Sequence, residues 1–255
     1  MPNELKRGDQ GAEVLGWQRF LIEQNLLHEA TDFVFGPHTE AATVLFQQQR
    51  GLAPSGVVEQ NTIQAAAALG YRPTDASFWP ERPDFPPLVT NDDRAALFGR
   101  FAFAAAPTAD EPSAVQITDG WDQENIVWVV VPQLRRVRGT NRKKGIQFHK
   151  KGVPQLLAMF QAFGDAGLAN RVLYFDGSFV PRFQRGSTTA LSTHSWGTSL
   201  DLNADWNDFG SPPARLGTKG CVLELVKIAN DHGFYWGGHF SSRIDGMHFE
   251  LTRLQ

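Results

Sequence analysis

"STHSWGTSLDLN", residues 192–203, begins as a polar turn and ends as an alternating, extended run. In "TSLDLN" (198–203) a period of two puts Leu200 and Leu202 on one face and Ser199, Asp201 and Asn203 on the other, the pattern of a strand with one covered side. Gly197 lets the chain turn sharply into that strand, so Asp201 projects toward a His194 carried on the preceding loop. "RIDGMHFEL" (243–251) offers a third donor, because His248 and Glu250 alternate with Phe249 and Leu251. Two imidazoles and one carboxylate, with a fourth position left to water, are the donor set of a single catalytic zinc ion rather than of a structural one. Asp245, three residues before His248, can take a proton from that water, whose pKa the metal lowers from about 15.7 toward about 7, and return it to a leaving amine. Glu250 either orients a ligand from behind or is a solvated strand residue; both readings stay open at this level.

Working outward, "IVWVVV" (126–131), "RVLYF" (171–175) and "MHFEL" (247–251) also read as strands, rich in β-branched and aromatic residues. Helical periods occupy 153–167 and 219–232. Strands and helices without a regular β-α-β repeat predict an α+β domain with a mainly antiparallel sheet over 91–255. Upstream, five prolines between 73 and 87 exclude a helix or a central strand, so 73–90 is read as a Pro-rich linker. Before it, Val14, Trp17 and Leu21, then Ala41, Val44 and Leu45, then Ile63, Ala66, Ala67 and Gly70 recur at helical spacing, predicting a small three-helix domain over 1–72. Pro37, in "FGPHT", suits a first helical turn.

Composition narrows the function classes. With 255 residues, 42% of them hydrophobic, the chain can bury a real core. A net charge of −3 and a pI near 6.2 argue against a nucleic-acid partner. The basic run 135–151, with eight Lys/Arg and no acid, is either a solvated hairpin turning at Gly139-Thr140-Asn141 or a contact for anionic envelope polymers. The single cysteine, Cys221, sits in an apolar period and reads as a core thiol. No stretch is apolar for the roughly 18 residues of a membrane span, and the N-terminus lacks the apolar core of a signal peptide. The expectation is a monomer made in the cytoplasm that reaches any extracellular target only after the membrane is permeabilised.

Two resemblances attach to these residues. "LKRGDQGAEVLGWQRFL", "DFVFGPHTEAATVLFQQQRGL" and "SGVVEQNTIQAAAALG" resemble the peptidoglycan-binding domain of cell-wall hydrolases, departing from it at Trp17, Phe33, Ser55 and Glu59. That resemblance implies a wall-ligand groove near Phe35, Gly36 and Thr39. "STHSWGTSLD" with "DGMH", supported by "DGSFVPRFQRGS", "LNADWN" and "HGFYWGGHF", resembles the zinc D-alanyl-D-alanine carboxypeptidase and L-alanyl-D-glutamate peptidase family. It implies zinc on His194, Asp201 and His248, Asp245 as general base and acid, and Arg182 steadying the oxyanion. His239 and Trp236, in "YWGGH", are candidates for contact with substrate, His239 alternatively a structural histidine. Together the two parts resemble a modular phage endolysin. The function implied is a zinc metallopeptidase that cuts a peptidoglycan stem peptide, at the L-alanyl-D-glutamate bond in first place and as a D-alanyl-D-alanine carboxypeptidase in second. A non-catalytic wall-binding protein with structural zinc is the reading from another class.

Overall fold

The computed structural model describes residues 4–28, 34–72, 79–241 and 243–255. Its N-terminal part is built on three helices, α1 (Ala12–Glu23), α2 (Pro37–Gln49) and α3 (Gln60–Ala67). Pro37 occupies the first turn of α2, where its missing N–H costs nothing. Val14, Trp17 and Leu21 face the core as the period requires, but α2 is rotated from the expected face. Ala42 and Phe46 are buried with Thr39, Thr43 and Gln47, whereas Ala41 and Leu45 face solvent. Hydrogen bonds make that polar face the inner one. Trp17 Nε1 donates to Thr43 Oγ1 at 2.8 Å, Gln18 Nε2 to Thr39 Oγ1 at 3.0 Å, and Gln47 Nε2 to Val57 O at 2.8 Å and Thr62 Oγ1 at 3.0 Å. A reading by hydrophobicity alone passes over threonine and glutamine that are buried because they are satisfied.

The C-terminal part is α+β. A four-stranded, fully antiparallel sheet has the order β5-β6-β8-β7, from β5 (Phe175–Gly177), β6 (Ser199–Leu202), β7 (Phe234–Trp236) and β8 (His248–Leu251). Helices α6 (Val153–Asp165) and α7 (Leu223–Asp231) share one apolar core with it, in which Leu156, Phe160, Leu225 and Val226 join Leu200, Leu202, Phe249 and Leu251. Two short hairpins complete the unit, β1 (Phe103–Ala105) with β2 (Val115–Ile117), and β3 (Ile126–Val129) with β4 (Ile146–His149). Helices α4 (Asn91–Phe98) and α5 (Trp121–Asn125) flank them. "RVLYF" is a strand only at its end; Ala169–Arg171 form a 3-10 turn. The basic run turns at residues 141–145, where Gly145 N donates to Asn141 O at 2.8 Å, and not at Gly139. Gly139 instead lies against β5, where a Cβ would sit 1.9 Å from Phe175 O. The run's arginines and its Lys143 and Lys144 are exposed.

Of the Pro-rich stretch, residues 73–78 lie outside the described residues. Residues 79–90 lie against the sheet domain: Trp79 packs on Trp236 at 5.0 Å, Pro80 O accepts from His239 Nε2 at 2.8 Å, and Asp84 pairs with Arg253 at 2.9 Å. Helix α1 also touches that domain. Leu15 and Ile244 bury each other, Arg19 donates to Pro213 O at 2.7 Å, and Glu23 pairs with Arg215. No helix among the described residues is long and apolar enough to cross a membrane.

Candidate metal centre

Strand register builds the centre. Asp201 on β6 stands directly opposite His248 on β8, and Ser199 opposite Glu250. Opposed residues of an antiparallel pair project from the same face, so Asp201 and His248 meet side by side. His194 comes from the 3-10 turn Thr193–Trp196, which ends at Gly197 in the left-handed region, φ 62°. A side chain at Gly197 would be strained there and would also strike Ile126 Cδ1 at 2.7 Å.

Three donor atoms converge. His194 Nε2 lies 3.3 Å and His248 Nδ1 2.9 Å from Asp201 Oδ1, and the two nitrogens are 3.2 Å apart. A tetrahedral ion with bonds of about 2.0–2.1 Å separates its ligands by about 3.3 Å, so the triangle already has close to the edge lengths of a coordination face. The outer nitrogens fix the tautomers. His194 Nδ1 lies 3.0 Å from Ser178 O, which can only accept. His248 Nε2 lies 3.2 Å from Thr193 Oγ1 and 3.5 Å from Glu250 Oε2. Protons on those outer atoms leave three lone pairs facing one another, an arrangement that a cation resolves. These three residues form a group that could hold a metal.

The electrostatics agree. Burial pushes the Asp201 carboxyl up, yet the His194 charge and hydrogen bonds from His194 and His248 hold it well below the usual carboxylate range. Burial likewise opposes charge on His248, but hydrogen bonds to Asp201 and Glu250 push its imidazole up to about 10. The surroundings favour positive charge at this point. Glu250 is 2% exposed and accepts from Leu88 N at 3.3 Å, which removes the solvated reading and leaves it beside Thr193 behind His248. Burial lowers the pKa of Arg94, and the Glu250 charge opposes that shift.

Asp245 lines the same cavity, of about 620 Å³, as His194, Asp201 and His248. Its Oδ1 is buried and accepts no hydrogen bond among the described residues. Burial, reinforced by Asp201, pushes its carboxyl up to about 6 against the pull of His248, His194 and Arg185. Gly237 makes room for it: a Cβ there would lie 3.0 Å from both Asp245 Cβ and His248 Cβ. Arg182 also lines the cavity, its backbone tied to the His194 turn through Ser195 Oγ at 3.0 Å and its guanidinium 3.8 Å from Glu111.

Other expected site residues fall elsewhere. Trp236 is fully buried and donates to Gly246 O at 2.8 Å, so it braces the loop between Asp245 and His248 rather than touching substrate. His239 borders the cavity but is 1% exposed and tied to Pro80; burial lowers its imidazole to about 4. In the helical part, Phe35 and Thr39 are inside the core, at 0% and 2% exposure, and only Gly36 of that trio is partly exposed. Phe35 packs with the Trp17 cluster, and Thr39 is held by Gln18. The roles of Ser178 and Thr193 escaped the sequence, because nothing in the chain signals which carbonyl or hydroxyl will stand behind an imidazole. Cys221 is buried, and burial raises its thiol, in keeping with a core role.

Comparison with known families gives two matches. Residues 185–251 match the family model described as D-alanyl-D-alanine carboxypeptidase, and residues 10–66 match a peptidoglycan binding domain model. Asp201, Asp245 and both histidines fall within the first match; Arg182 falls just outside it. No curated protein matches the chain. The chain therefore joins an N-terminal peptidoglycan-binding domain to a C-terminal peptidase domain of the D-alanyl-D-alanine carboxypeptidase family.

Proposed function

We propose that this protein is a zinc-dependent peptidoglycan hydrolase that cuts the L-alanyl-D-glutamate bond of the wall stem peptide. The observation that carries the reading is the convergence of His194 Nε2, Asp201 Oδ1 and His248 Nδ1 within 3.3 Å of one another, in one cavity with Asp245, whose buried Oδ1 has no hydrogen-bond partner among the described residues. His194, Asp201 and His248 would hold the ion. Zinc bound there supplies Lewis acidity, polarising a carbonyl and acidifying a water.

The chain's own residues do the rest. Asp245 takes the proton of the attacking water and passes it to the leaving amine; a carboxyl raised toward 6 is suited to both transfers near neutrality. Arg182 turns its guanidinium to the oxygen on which negative charge develops. Glu250 and Ser178 hold the two imidazoles in the tautomers that leave the inner nitrogens free. The peptidoglycan-binding domain keeps the cavity near an insoluble polymer and raises the local concentration of stem peptides.

Digestion of purified sacculi followed by mass spectrometry tests this reading. New N-terminal D-glutamate is expected, abolished by a chelator and restored by zinc. The family description favours a second reading, a carboxypeptidase, whose product is free D-alanine. Sacculi left intact with and without zinc would refute both and leave a wall-binding protein.

A further inference from the structure

Two arginines at the metal cavity have no role in that chemistry. Arg185 and Arg243 both line it, and both lean on one aromatic ring: their guanidinium carbons lie 5.1 and 4.4 Å from the centre of Phe209. Arg243 is seated as well as stacked. Gly210, at φ 81° in the left-handed region that favours glycine, lies against it, and a Cβ there would come within 2.3 Å of Arg243 Nε, so a side chain at 210 would displace the guanidinium. Gly210 N donates to Ile244 O at 2.8 Å, fixing the turn to the residue next to Arg243.

Neither guanidinium forms a hydrogen bond or an ion pair among the described residues. Two carboxylates feel the Arg185 charge: Glu111, which faces Arg182 at 3.8 Å, and Asp245. Two like charges drawn onto one ring repel each other, and a shared anion relieves that repulsion. A planar fork held by stacking binds a carboxylate through paired, charge-assisted hydrogen bonds. The location specifies which carboxylate. Arg243 stands two residues before Asp245, and the charge of Arg185 acts on the Asp245 carboxyl, so both arginines stand near the residue that would pass the proton to the leaving amine.

We propose that Arg185 and Arg243, held on Phe209, form a carboxylate subsite for the residue that carries the leaving amine, so that the cavity selects an acidic residue there over its amide. The proposal rests on the hydrolase reading above for its substrate. In a stem peptide the group bound is the free α-carboxylate of a D-glutamate linked onward through its side chain.

The test uses the zinc-loaded full chain and two synthetic peptides, alanyl-γ-D-glutamyl-lysine with a free α-carboxylate and the same peptide as its α-carboxamide. The ratio of kcat/KM, acid over amide, is expected to be about 10- to 100-fold in the wild type and to collapse toward unity in the Arg185→Gln/Arg243→Gln double variant. Arg243→Lys, which keeps charge but loses the fork, should retain an intermediate ratio. A wild type that hydrolyses both peptides equally, or a double variant that keeps the full ratio, overturns the proposal. Calorimetric binding of the two peptides separates this outcome from failure of the hydrolase reading. If neither peptide is cut yet the acid binds to the wild type and not to the double variant, the subsite stands and the peptidase assignment falls. If the acid binds both proteins alike, or neither, the subsite is refuted.

Discussion

Replacing Asp245 by asparagine separates catalysis from stability, because the structure gives the two effects opposite signs. The side chains are nearly isosteric, so the cavity keeps its shape and the three metal donors keep theirs. Catalysis loses its proton acceptor, and a positioned general base is worth about 10²- to 10⁴-fold. Stability moves the other way in the zinc-free protein. The Asp245 carboxyl is raised from 3.8 to about 6, so at pH 7.5 the folded state bears an ionised group that the unfolded state holds more easily. About two pKa units correspond to roughly 3 kcal/mol. The penalty is present in full above pH 6, and falls away as the folded carboxyl takes up a proton between pH 6 and pH 3.8. A neutral amide at this position carries no such penalty. Urea unfolding in the presence of a chelator should therefore show the variant more stable than wild type at pH 7.5, with the advantage shrinking toward pH 4. Zinc content, measured by atomic emission after reconstitution, should stay at wild-type level while kcat collapses. Activity within a few-fold of wild type, or loss of bound zinc, would refute the assignment of Asp245 as the base.

Three further outcomes follow from particular contacts. Glu250→Gln keeps the shape behind His248 but removes the charge facing its Nε2 at 3.5 Å, and should weaken zinc affinity or activity by about 10- to 100-fold, read by competition with a fluorescent chelator. His149 is fully buried with its Nε2 3.1 Å from Phe98 O, and burial lowers its imidazole to about 4. The unfolded chain protonates near pH 6.5 while the folded one resists, so this histidine withdraws up to roughly 3 kcal/mol as pH falls from 6.5 to 4; His149→Gln should flatten that part of the stability curve in denaturant titrations at successive pH values. Leu15→Asp sets a charge against Ile244, the neighbour of Asp245, and should lower kcat on a soluble peptide, where wall binding plays no part. Unchanged turnover in that assay would show that helix α1 does not support the catalytic loop.

The division between what was legible and what was not follows from the range of the interactions. Period two in 198–203 and 247–251, the turn glycine at 197, and the order of histidine, aspartate, aspartate and histidine are local features, and local features are written along the chain. They single out the candidate donor set, while the prolines at 73–87, the helical periods before them and the mixed strands and helices after them point to the two-part organisation and the α+β class. Register is not local. That Asp201 faces His248 depends on how β6 slides along β8, and a shift of one residue would have turned one of them into the core.

Solvation is not local either. The period in α2 pointed to Ala41 and Leu45, but the buried face belongs to Thr39, Thr43 and Gln47 because their partners arrive from α1 and from the turn before α3. Glu250 could be read as solvated or as supporting until β6, β8 and residue 88 closed around it. Sequence alone determined which atoms could bind a metal and move a proton. Only the tertiary structure decided how they stand to one another, because cross-strand register, the tautomer of each imidazole and the desolvation of each carboxylate are set by groups far apart in the chain.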